Sequence, residues 1–135
     1  MNFSSTSAKS YSDPGHGWLK VPRSNLVALN ILHKISSYSY QRGDYVYLEE
    51  DSDCHKYFQA MQDACLSGAL QVASESDAMQ EQLGNDFVEK YKRNVKHSSS
   101  NKSSKIRSYD SFRMTMQELN CEYKSLAKAT LRFLK

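Results

Sequence analysis

A chain of 135 residues with 39% hydrophobic content has the length of one domain and the apolar material for a modest core. No apolar run approaches membrane-spanning length, no apolar N-terminal stretch resembles a signal peptide, and three cysteines without a CxxC pair read as a reduced, cytoplasmic setting rather than a disulfide scaffold. The net charge of +3 conceals three blocks: +3 over residues 1–48, −9 over 49–89 and +9 over 90–135.

Residues 1–14 are rich in Ser, Thr and Lys, and the expectation is a disordered N-terminal tail. An α+β core domain is expected over 15–112. Trp18, Leu19 and Val21 suit a short strand that ends at Pro22, which lacks an N–H for a ladder but fits the first turn of a helix. Leu26, Val27 and Leu29 then fill one or two helical turns, and Asn30 sits where a residue in left-handed conformation would stop them.

Ile35–Tyr40 and Tyr45–Leu48 are rich in β-branched and aromatic residues around Gln41-Arg42-Gly43-Asp44, which predicts a hairpin with a four-residue loop. Side chains alternate along a strand, so Val46 and Leu48 point to the core while Tyr38, Tyr40, Tyr45 and Tyr47 share the opposite face. A tyrosine face of this kind, with Arg42 at its tip, suits a partner-binding surface; it also suits cross-strand pairs that cover a helix within the domain.

Asp51 or Ser52 can cap a helix carrying Tyr57, Phe58, Met61, Ala64 and Cys65, with Gly68 as its end. Leu70 and Val72 fit a short strand, and Met79 and Leu83 a polar helix stopping at Gly84-Asn85. Phe87, Tyr91 and Val95 fit either period, and the turn residues at 84–86 favour a third strand over 86–96. Residues 97–104 form a polar, flexible loop. From Phe112 to Phe133 an apolar stripe steps by 4 and 3, which predicts a long amphipathic helix over 113–135. Met116, Leu119, Tyr123 and Leu126 on that stripe would pack on the core or on another subunit, making a homo-oligomer. The expected architecture is therefore a small antiparallel sheet, the central hairpin plus one or two further strands, packed with helices.

The runs H-G-W-L-x-V-P-R at 16–23, K-I-S-S-Y-S-Y-Q-x-G-D-x-V-Y-L-E-E-D at 34–51 and S-K-I-R-S-Y at 104–109 resemble a small uncharacterised protein family of phage and other mobile genetic elements. The resemblance spans Gly15 to about Phe112, with a weak stretch at 66–95. The chain departs from that pattern at Asn30, where Gly is expected, and at Ser52 and Cys54. The resemblance brings no known activity with it. Together with the small size, the tyrosine face, the heptad stripe and the charge blocks, it makes a non-enzymatic interaction protein the expected function. Its mobile-element context implies a host or defence protein in the host cytoplasm as the partner.

Chemistry-bearing motifs are sparse. Asp51 and His55, four apart near Glu50, could share a helix face toward a divalent ion, but no second His or Cys stands at ligand spacing, so no metal is expected. His16 has no nucleophile–base motif, P-loop or dinucleotide fingerprint beside it, so neither catalysis nor a cofactor is expected. Seven basic residues and no acid lie in 90–107. Lys92, Arg93, Lys102, Lys105 and Arg107, with Tyr109, make nucleic-acid binding the alternative function.

Overall fold

The computed structural model describes residues 3–4, 8–13, 15–66, 77–99 and 105–120. In chain order the strands and helices are β1 (Lys9–Ser12), β2 (Gly17–Pro22), α1 (Arg23–Ala28), a 3-10 turn at Leu32–Lys34, β3 (Tyr40–Arg42), β4 (Tyr45–Glu49), α2 (Asp53–Leu66), α3 (Asp77–Asn94), β5 (Lys96–Ser99) and β6 (Asp110–Ser111). The strands form one six-stranded sheet in the order β5-β1-β2-β4-β3-β6. Every pairing is antiparallel except β1 with β5, so the fold is α+β with a mixed sheet, larger than the small antiparallel one expected.

Local chemistry sets these elements. Pro22 precedes α1 in extended conformation (φ −62°, ψ 136°), and Asn30 stops the helix at φ 56°. The N–H of Ile31 reaches the Leu26 carbonyl at 3.1 Å and that of Asn30 the Val27 carbonyl at 3.0 Å, the paired bonds of a Schellman stop. Arg42 pairs with Tyr45, so the hairpin loop is only Gly43-Asp44. Gly43 takes φ 58° at the first central position, as a tight II′-type turn requires.

The expected first hairpin strand shrinks accordingly. Residues 32–39 form a 3-10 turn and a further turn instead. The reason lies at α2, where the buried Asp53 carboxylate accepts from the Ser36 N–H (3.0 Å), Ser36 Oγ (2.7 Å) and Ser39 Oγ (2.5 Å). Those bonds hold the serines away from a ladder. Ser52 supplies the carbonyl for the first helical bond of α2, and Glu49 accepts from the N–H groups of Asp51 and Ser52.

Three further expectations are corrected. Residues 86–94 belong to α3, not to a third strand, because Val88 and Tyr91 are buried against α2, with the Tyr91 and Tyr57 hydroxyls 2.7 Å apart. Lys96–Ser99 is a strand, so residues 97–99 are not part of the polar loop expected over 97–104, whose remaining residues lie outside the described ones. Lys9–Ser12 is an internal strand between β2 and β5 rather than part of a disordered tail. The C-terminal helix expected over 113–135 lies mostly outside the described residues, as do Tyr123 and Leu126; residues 116–120 are helical, with Met116 and Leu119 exposed.

The sheet separates two clusters. Leu19, Val21, Val46 and Leu48 face α2 and α3 and join Leu26, Tyr57, Met61 and Tyr91 in the main core. The alternate residues Tyr11, Trp18 and Tyr47 face away from the helices, where Ile106 packs on them and Tyr40 and Tyr109 flank them. The second cluster frames the candidate site.

Candidate functional site

Period-two alternation makes β2 and β4 two-sided: Leu19 and Val21 enter the core, while Trp18 and Lys20 stand on the other surface. On that surface Trp18 pairs with Glu49, and Tyr47 pairs with both Lys20 and Tyr40. Residues 105–109 cross this face, burying Ile106 and placing the Tyr109 ring 5.1 Å from that of Tyr47.

The crossing segment leaves an opening on either side. The larger, about 390 Å³, is lined by His16, Trp18, Tyr38, Tyr40, Glu49 and Arg107. The smaller, about 220 Å³, lies among Tyr11, Arg42, Tyr47, Lys105, Ile106 and Tyr109. In the larger one the Trp18 ring meets the Tyr40 ring edge-on at 6.2 Å and the His16 ring at 6.0 Å. Trp18 is only 4% exposed, whereas Tyr38 at the rim is 78% exposed.

Arg107 connects the two clusters of charge and aromatic surface. Its guanidinium lies 5.6 Å from the Trp18 ring centroid, while Nε and Nη2 each donate to Asp13 at 3.2 Å. The Asp13 carboxylate also accepts from the N–H groups of Gly15 and His16, so it fixes the turn before β2. Those N–H groups, Gly15 first, together with Arg107, hold the Asp13 carboxyl below its ordinary value. Other cations lie over tyrosine rings: Lys20 over Tyr45 at 4.2 Å, Arg42 over Tyr109 at 4.9 Å and Lys9 over Tyr11 at 5.3 Å.

The expected site residues divide between the two layers. Tyr40, Tyr45, Tyr47 and Arg42 do share the face opposite the core, and Lys105, Arg107 and Tyr109 join them there. Tyr47 is buried beneath Tyr109 and is not a free contact surface. Tyr38 comes from the turn before β3, not from a strand. Lys92 and Arg93 end α3 in the helical layer, where Lys92 lies over the Phe58 ring and within 3.7 Å of Glu89. The basic tract is therefore not one surface, and Lys102 lies outside the described residues.

Six residues of this face escaped the sequence reading as site members: Tyr11, Trp18, Glu49, Ile106, Lys9 and Lys20. Alternation along G-W-L-K-V-P carried the signal, since Leu19 and Val21 inward requires Trp18 and Lys20 outward. Among the described residues no group of His, Cys, Asp and Glu is arranged to hold a metal ion, and no helix is long and apolar enough to cross a membrane. Burial pushes the Cys54 thiol up to about 11, which leaves it a poor nucleophile. No protein-family model, curated protein or solved structure matches this chain.

Proposed function

We propose that this protein is a non-enzymatic binding module whose partner protein docks on the aromatic, basic face of the sheet, centred on the opening at Trp18. One observation carries the reading. Four segments distant in sequence, the turn into β2, the turn into β3, the end of β4 and residues 105–109, converge to line a single opening. A core needs no such convergence on its outer face. Trp, Tyr and Arg around a sheltered pocket are the residue types that dominate protein interfaces.

Besides its aromatic rings the opening is lined by His16, Glu49 and Arg107. No Ser, Thr, Cys or Lys lines it, and the carboxylate of Glu49 is engaged by two backbone N–H groups. The segments that meet there are the ones that resemble the phage and mobile-element family. On that resemblance the partner is a host or defence protein. Nucleic acid is the second reading, favoured by the cations beside the opening and disfavoured by the position of Lys92 and Arg93 in the other layer.

Capture from host lysate, with and without nuclease, tests the reading with three forms of the protein. The native chain and a Lys90→Gln/Arg93→Gln variant of the helical layer should retain the same protein after nuclease treatment, and Tyr38→Ala/Arg107→Gln should lose it. Retention that vanishes with nuclease favours nucleic acid. Capture unaffected by Tyr38→Ala/Arg107→Gln moves the docking surface elsewhere and overturns the proposal.

A further inference from the structure

On the same face as the opening, beyond residues 105–109, the sheet carries an arrangement that its own stability does not favour. Lys96 on β5, Lys9 on β1 and Lys20 on β2 are partners in register, three like charges abreast on neighbouring strands. Strands in a sheet are about 4.8 Å apart, and like charges directly opposite one another oppose pairing. Among the described residues none of the three has a carboxylate partner. Arg42 and Lys105, across the face, have none either. Glu49 is the one carboxylate lining the two openings, and its oxygens are already taken by backbone N–H groups.

We infer that the lysine row and the Trp18 opening together take an acidic peptide segment carrying one aromatic side chain. The inference rests on the docking reading above and names the chemistry of the partner. Lys9 and Lys20 are held over Tyr11 and Tyr45, so much of their ordering is in place before a ligand arrives. Residues 105–109 pass between the opening and the row, and Lys20 is held over Tyr45 on the side away from Trp18. The peptide therefore crosses that segment, where Lys105 and Arg107 add positive charge, with its aromatic residue on one side and its acids on the other.

A single strand of nucleic acid fits the face less well. Successive bases need successive open ring faces. Here Tyr11, Trp18 and Tyr47 are each no more than 9% exposed, and the exposed rings at the opening are Tyr38 and the smaller His16, at its rim rather than in a continuous row. One aromatic anchor amid positive charge matches a peptide motif, with charge setting specificity and the ring providing a buried contact.

Trp18 is the only tryptophan, so its fluorescence reports on the opening directly. The probes are a short Asp/Glu peptide with one central phenylalanine, the same peptide with alanine there, a neutral peptide with the phenylalanine, and oligothymidylate. The first should bind saturably, at least about tenfold more tightly than each of the others. Lys9→Gln/Lys20→Gln should weaken it by about tenfold or more while the melting temperature holds or rises, since a purely structural role for these lysines would not separate binding from stability. No binding of the first peptide, equal binding of oligothymidylate, or indifference to the lysine changes would each overturn the inference. If the peptide fails while lysate capture still depends on Tyr38 and Arg107, only the ligand class falls. If both fail, the docking face falls with it.

Discussion

At the scale of single residues, Leu48 and Tyr47 are chain neighbours with opposite fates. Leu48 is fully buried against the helices, and Leu48→Ala should destabilise the fold by about 2–5 kcal/mol in denaturant unfolding, through lost burial and the cavity left behind. Tyr47 is buried on the other face, where desolvation and then neighbouring Tyr109 push its hydroxyl from 10.0 up to about 12. Burial also raises Tyr91 to about 12 in the main core and raises Tyr57 beside it. These folded-state values lie above the unfolded one. Their contribution to stability is therefore whole below pH 10 and lost as pH rises through about 12. Tyrosinate absorbance followed with near-ultraviolet dichroism should show the last tyrosines ionising together with loss of tertiary structure. Ionisation of all nine tyrosines with the signal intact would mean that none is sealed. The inward direction of Val46 and Leu48, and the left-handed Asn30, were legible because each follows from a local rule. The burial of Tyr47 was not, since it depends on a segment about sixty residues later.

At the scale of elements, β1 and α3 mark where local rules run out. Phe87, Tyr91 and Val95 repeat every four residues, a spacing that either period allows; contact with α2 and with Phe3 decides for a helix, with the Phe3 ring 6.1 Å from Phe87. β1 has a single apolar residue, Tyr11, in four, and its ladder is made by pairing with β2 and β5 rather than by propensity. Its polar composition resembles a tail for that reason. Ser10→Pro separates the two possibilities. In a tail it would be silent, whereas within a strand paired on both sides it removes a ladder bond and should cost about 1–3 kcal/mol. Equilibrium unfolding should show that loss, with the dichroism of the sheet weakened. The hairpin, the short helix and the start of α2 were readable because Gly43, Asn30 and the acids before α2 are punctuation. The serines of 36–39 were misread as strand because their partner, Asp53, is an interaction that no strand pattern encodes.

At the scale of the whole molecule, the sequence placed ten acids in 49–89 and twelve basic residues in 90–135, and folding could have set one block against the other. Among the described residues Lys92–Glu89 is the ion pair that joins the blocks, and it is a local contact within α3. Six of the ten acids belong to α2 and α3, in the layer opposite the lysine row. The same two helices carry Lys56, Lys90, Lys92 and Arg93, so their layer holds six acids against four bases, while Lys9, Lys20, Lys96, Arg42, Lys105 and Arg107 gather on the other face of the sheet. A molecule so divided presents its positive side to an acidic partner before contact, and such steering acts on association rather than dissociation. Raising salt shortens the screening length to about 10 Å at about 0.1 M. For the acidic phenylalanine peptide, stopped-flow association followed through Trp18 should slow by about tenfold or more from low to physiological salt, with the dissociation rate changing far less. Lys9→Gln/Lys20→Gln should flatten that dependence, because it removes two of the three charges in the row. Lys90→Gln/Arg93→Gln, made in the helical layer, should leave the slope close to native. An association rate indifferent to salt would show that the divided charge has no part in bringing the partner in.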